Sequence, residues 1–169
     1  MTESTIINRV AGSGLITIDL ESFYAQGERK VIDIKDQLFR GLILKEKDFR
    51  DYIANENWDL YKDSLVAVYC STDAVIPTWA YMLVASKLQG LAKKVVFGDL
   101  ETLENFLYLE ALAAVNPADY QNARVVIKGC GNLPVPAGAY MEITRILSPV
   151  VKSLMFGEPC STVPVIKNK

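Results

Sequence analysis

Ile76-Pro77-Thr78-Trp79-Ala80-Tyr81-Met82 and Val135-Pro136-Ala137-Gly138-Ala139-Tyr140-Met141 are two versions of one segment, about 59 residues apart. Upstream of it, Asn57 falls on Asn116, Tyr61 on Tyr120 and Val66 on Val125. Downstream, Leu88 falls on Leu147, Lys93 on Lys152, and Phe97-Gly98 on Phe156-Gly157. The overlay needs no gap, and about a quarter of its positions are identical, several-fold above what residue frequencies give. The chain therefore carries an internal duplication over its C-terminal two-thirds.

Each copy reads alike. An apolar run (Leu65 to Tyr69, then Val125 to Ile127) leads through a small-residue loop into a helix that opens at proline, where a missing N–H costs nothing. Tyr81, Val84 and Leu88 make a helical stripe in the first copy, and Tyr140, Ile143 and Leu147 make it in the second. A second apolar run follows, Val95 to Phe97 and then Leu154 to Phe156. Short β-rich runs alternating with helices imply parallel strands joined by crossovers. The expected fold is α/β: a mainly parallel sheet from two pseudo-twofold-related βαβ units, with an N-terminal β segment.

The N-terminal segment contains Leu15 to Leu20 and Lys30 to Ile34 on either side of Gln26-Gly27-Glu28-Arg29, which reads as a hairpin or a pair of edge strands. Phe49, Tyr52 and Ile53 predict an amphipathic helix from Lys45 to Asn55. Its counterpart runs from about Leu100 to Val115 with Asp99 as its cap. A chain of 169 residues, half of them hydrophobic, is read as a single domain, 1–169. Within it, residues 1–44 are the β segment, 45–102 the first repeat unit and 103–169 the second.

A net charge of −2 with scattered lysines and arginines gives no basic stripe, so nucleic acid is not an expected partner. The N-terminus does not read as a secretion signal and no run reaches the length of a membrane helix, so the expectation is a cytoplasmic protein without a membrane partner. The absence of histidine removes the usual general base and the commonest nitrogen ligand for metals. No complete glycine fingerprint for a nucleotide cofactor is present.

Three cysteines in a reducing compartment read as thiols or ligands rather than disulfides. Ligands of open parallel sheets bind beyond the carboxyl ends of the strands. Cys70-Ser71-Thr72-Asp73 follows one strand, Gly129-Cys130-Gly131-Asn132 its repeat, and Gly157-Glu158-Pro159-Cys160 another. If the thiols converge, Cys70, Cys130 and Cys160 would make three corners of a zinc or iron site, or ligate an iron–sulfur cluster. Asp73, three residues after Cys70, is the first carboxylate candidate to complete it, with Asp99 and Asp19 next; Asn132 and Glu158 belong to the same predicted rim. The spacing is not a CxxC pair, and cysteines also pack as small hydrophobes. The overlay makes any such site asymmetric, because Cys70 falls on Gly129, Cys130 on Ser71 and Cys160 on Glu101.

Two further chemistries fit the same rim. Cys70 ahead of the helix at Pro77 is a nucleophile candidate, although its loop lacks an arginine and any histidine base. Gly129 and Gly131, before the helix at Pro136, could cradle a phosphate or carboxylate, or simply let the strand turn. Tyr81, Tyr140 and Trp79 read as packing residues.

Four segments carry a resemblance: Asn8 to Thr17, Leu44 to Arg50, Ile76 to Met82 and Gly157 to Pro164. Through them the chain resembles a bacterial family known as domain of unknown function 2480. The resemblance implies no catalytic residues; an association with iron–sulfur assembly components is what it adds. The leading expectation is an accessory protein that binds a transition metal or iron–sulfur species. A small-molecule enzyme at the same sheet edge and a non-catalytic interaction protein are the alternatives, and a duplicated chain is compatible with a homodimer.

Overall fold

The computed structural model describes residues 14–129 and 131–168. In chain order the strands are β1 (Leu15–Asp19), β2 (Arg29–Asp33), β3 (Leu65–Tyr69), β4 (Lys94–Phe97), β5 (Arg124–Lys128), β6 (Ser153–Glu158) and β7 (Ser161–Lys167). The helices are α1 (Glu46–Asn55), α2 (Thr78–Leu88), α3 (Leu100–Leu112) and α4 (Ala137–Leu147). The chain divides into a continuous unit, Gln26–Phe106, and a split unit in which residues 14–25 join residues 107–168. The mixed α/β architecture and its parallel pairing are as expected, and the strands are shared between two sheets, β2-β3-β4 and β1-β5-β6-β7.

Strand register shows that the duplication reaches further than the sequence overlay. Arg29 pairs with Leu65 and Leu65 with Lys94; in the other sheet Leu15 pairs with Arg124 and Arg124 with Ser153. Arg124 is the repeat of Leu65 and Ser153 the repeat of Lys94, so β1 is the counterpart of β2. Both strands end in the same way, Ile18-Asp19-Leu20 and Ile32-Asp33-Ile34. Each aspartate accepts a hydrogen bond from the amide two residues on, Glu21 or Lys35, and so caps a 3-10 turn. β1 and β2 do not form a hairpin. Each is an edge strand that pairs in parallel with the central strand of its own sheet, and Gly27 (φ 147) sits against the Leu65 side chain instead of turning a hairpin.

The cores repeat residue by residue. In the continuous unit Ile32, Ile34, Phe49, Ile53, Val66, Val68, Ala80, Val84 and Leu88 are buried together. Ile18, Leu20, Tyr108, Leu112, Val125, Ile127, Ala139, Ile143 and Leu147 occupy the corresponding places in the split unit. Each fully buried aliphatic side chain contributes about 1.5–3 kcal/mol, so either set is enough to organise a small layer of helices on a sheet. Phe49 and Ile53 on α1, and Tyr108 and Leu112 on α3, fall four residues apart and present one stripe to the core. Asp99 caps α3 as expected, its carboxylate accepting from the Thr102 amide (2.9 Å) and hydroxyl (2.8 Å). The helix stops at Leu112, short of Val115, because Asn116 starts a separate 3-10 turn over Pro117–Tyr120.

Smaller features recur as well. Asp63 and Asn122 both take φ 56 in the turns entering β3 and β5, and Gly98 and Gly157 take φ 132 and 118 at the ends of β4 and within β6. Pro77 and Pro136 stand at the N-cap of α2 and α4, one residue ahead of the first turn. Tyr81 meets Phe97 edge-on at 5.0 Å and Tyr140 meets Phe156 at 5.7 Å, so each duplicated tyrosine packs on its own sheet. Trp79 packs edge-on against Phe49 at 5.9 Å, the core role expected of it. One element has no counterpart in the continuous unit: β7 returns antiparallel along β6 through the turn at Pro159-Cys160. Pro164 within it breaks the strand pattern in sequence, and an edge position tolerates the missing donor. Among the described residues, no helix is long and apolar enough to cross a membrane.

Candidate functional site

The strand-end rims of the two sheets differ, and the difference starts at one position. Glu21 and Lys35 each lie two residues beyond the capping aspartate of their strand. In the split unit, the Glu21 carboxylate turns onto the loop that follows β5 and accepts from the amides of Gly131 and Asn132, the latter at 3.3 Å. Successive amides that converge on one carboxylate form an anion cradle. The anion these amides take is part of the chain. Gly131 has no alternative there, since a Cβ would collide with the Glu21 carboxylate. Gly129 is constrained too: a Cβ would lie 2.7 Å from the Tyr140 hydroxyl and 3.1 Å from Leu20 Cβ.

In the continuous unit the same station is basic. Lys35 Nζ pairs with Asp33 at 3.2 Å, and the Asp33 carboxylate also accepts from the Ser71 amide at 3.0 Å. Burial opposes ionisation of Asp33, but the hydrogen bonds from Ser71 and Lys35 outweigh it and keep the carboxyl below its ordinary range. Asp33 is thus anionic and already neutralised by its partners. The next two amides of the loop, those of Thr72 and Asp73, correspond to Gly131 and Asn132 and take no acceptor among the described residues. Beside them Cys70 stands where the split unit has Gly129. Its thiol is half-buried and lies 3.3 Å from Thr72 Oγ1 and 3.7 Å from the Thr72 carbonyl. Tyr81 closes the inner side; burial, then Cys70 and Asp33, push its phenol above the ordinary range, so it stays a hydrogen-bond donor.

Of the residues singled out in the sequence, Cys70 and Asp73 share this loop of the continuous unit, and Asp99 is used as the cap of α3. Asp19, Asn132, Glu158 and Cys160 belong to the split unit. There Asp19 pairs with Lys128 at 3.1 Å, Asn132 lends its amide to Glu21, Glu158 is exposed at the end of β6, and Cys160 is exposed in the β6–β7 turn. Cys130 lies outside the described residues. Among the described residues no three cysteine, aspartate or glutamate groups come together in a way that could hold a metal ion. Asp33, Lys35 and Glu21 were not anticipated; the signal was the repeated apolar-Asp-apolar triplet, which is too short to align unaided.

No curated protein matches the chain, and no solved structure does. A family described as protein of unknown function (DUF2480) matches residues 4–168, with the duplicated scaffold and both rims inside the match. The chain belongs to that family.

Proposed function

We propose that the protein binds a small carboxylate-bearing molecule at the strand-end rim of the continuous unit. Its carboxylate would lie on the amides of Thr72 and Asp73 within reach of the Lys35 ammonium, with the Cys70 sulfur alongside. The observation that carries this reading is Glu21, a carboxylate seated on the equivalent amides of the other copy. Where the split unit supplies its own anion, the continuous unit replaces it with a cation and leaves two donors unused. Preorganised amides and a nearby ammonium favour an anion without a reorganisation cost.

Thermal shift and calorimetry with a panel of short mono- and dicarboxylates test the reading. A ligand at about a hundred times its Kd should add about 2.7 kcal/mol of stability. Lys35→Glu should abolish the effect, because it tethers a carboxylate where the ligand would sit. No stabilisation by any member of the panel, or equal stabilisation of Lys35→Glu, overturns the proposal.

The competing proposal is a zinc, iron or iron–sulfur species bound through rim thiolates, with Cys70 and Asp73 as candidates in the continuous unit and Cys130 and Cys160 in the split unit. It draws support from Cys70 and Cys160, which are both free thiols at strand ends. Elemental analysis of untagged protein purified anaerobically separates the two. Stoichiometric metal lost in Cys70→Ser favours the metal, whereas metal-free protein that responds to carboxylates favours the small molecule.

A further inference from the structure

The two copies also differ at the opposite end of their sheets, where the parallel strands begin. Arg124, Ser153 and Lys167 stand opposite one another in the register of β5, β6 and β7, so they form one row across three adjacent strands of the split unit and share a face. Lys152 lies one residue ahead of β6. These residues border a cavity of about 410 Å³ whose apolar wall is Met155, Pro164 and Ile166. No acidic side chain lines it. Among the described residues the side chains of Arg124, Lys152 and Lys167 have no carboxylate partner, and the Ser153 hydroxyl has no hydrogen-bond partner.

β7 builds this cavity in two ways. Leu154 pairs with Ile166 and Met155 with Pro164, which leaves Val165 as a bulge. A bulge bends its strand and interrupts the ladder, and this one falls at the cavity wall. Beyond the strand, the Asn168 side chain donates to the carbonyls of Ser148 (3.0 Å) and Val151 (2.8 Å), and its amide donates to the Lys152 carbonyl (3.0 Å). That anchor holds the Lys167 end of β7 beside Lys152.

The continuous unit has no such site. It lacks a counterpart of β7, and at the places of Arg124 and Met155 it has Leu65 and Val96, both buried. The counterpart of Lys152 is Lys93, whose ammonium donates to the Gln26 carbonyl at 2.8 Å. One copy thus packs this corner with aliphatic side chains, whereas the other gathers cations around open space. Cations around one cavity repel one another, and a bound anion relieves that repulsion.

We propose that the cavity binds an organic phosphate, with the phosphate among Arg124, Lys152 and Lys167 and an apolar substituent against Met155, Pro164 and Ile166. A guanidinium fork with ammonium groups beside it matches a dianion that has several acceptor oxygens, and the Ser153 hydroxyl supplies a further donor. The volume is that of a small-molecule site, and its apolar wall with a few polar groups is the usual composition of one.

Calorimetry on the intact chain with phenyl phosphate, inorganic phosphate and phenol tests the proposal. Phenyl phosphate should bind at least about tenfold more tightly than inorganic phosphate, and phenol should not bind. Arg124→Gln and Lys167→Gln should each weaken phenyl phosphate by about tenfold or more, with an unchanged circular dichroism spectrum, since both side chains are exposed. Lys35→Glu, in the continuous unit, should bind phenyl phosphate as the wild type does, so this site and the carboxylate site succeed or fail separately. No binding of phenyl phosphate at millimolar concentration, or binding that survives Arg124→Gln combined with Lys167→Gln, overturns the proposal. Inorganic phosphate or phenol binding as tightly as phenyl phosphate overturns the assignment to an organic phosphate.

Discussion

Glu21 and Lys35 stand at the same station of two repeated strand ends, and their opposite charges decide whether the neighbouring loop is closed or open. Removing the closing group should release its loop. Glu21→Ala deletes charge-assisted hydrogen bonds to Gly131 and Asn132, and a loss of about 1–2 kcal/mol in urea unfolding is expected. Hydrogen exchange should quicken at residues 131 and 132 and stay unchanged at 71–73. Unchanged exchange at 131 and 132 would remove Glu21 from its assigned role.

Asp33 ties stability to pH in a defined direction. Its folded pKa lies below the ordinary 3.8, so its contribution is complete above that value and disappears as pH falls through the lower folded pKa. Acid unfolding followed between pH 5 and 2 should therefore show the wild type losing its advantage over Asp33→Asn only below about 4. At pH 7 the substitution is expected to cost about 1–2 kcal/mol, because the Ser71 amide and Lys35 lose an anionic partner. A gap between the two proteins that stays constant down to pH 2 would contradict this account.

Gly98 and Gly157 test the repeat at the level of the backbone. Both have positive φ, and both would bring an added Cβ to 2.6 Å from a neighbour. At Gly98 that neighbour is Thr102, whose Cβ is fixed by the backbone of α3; at Gly157 it is the Ser161 carbonyl, fixed in the β6–β7 ladder. Alanine should destabilise both by about 1–3 kcal/mol. Thermal unfolding of the two variants in parallel reads the effect, and a variant as stable as the wild type would place the constraint elsewhere.

The fold was legible where apolar periodicity was long enough to repeat. Leu65 to Tyr69, Tyr81 to Leu88 and their counterparts specify strand, helix and burial at once, and the register confirms each of them. β1 and β2 were visible as strands and not as copies, because five residues with one shared aspartate cannot establish an alignment. Their partners were equally hidden: parallel pairing with β5 and β3 is a long-range choice that no local pattern encodes. β7 was concealed by Pro164. The rule that strand ends gather ligands directed attention to the rims, and so did the cysteines. What they could not show was which groups converge. Asp33 reaches Ser71 across 38 positions of sequence and Glu21 reaches Gly131 across 110, distances over which a single chain leaves no legible trace.

The interruption of the split unit has a consequence for synthesis. Among the described strands β1 leaves the ribosome first, yet its partner β5 follows only after roughly a hundred further residues. By then Gln26–Phe106 has been made in one uninterrupted stretch, with its own strands and hydrophobic centre. β1 must therefore wait for β5 while β3, a strand of the same design and the partner of β2, is already within the synthesised chain. Since β1 and β2 have both emerged before β3, order of emergence does not choose between them, and the choice falls to side-chain fit.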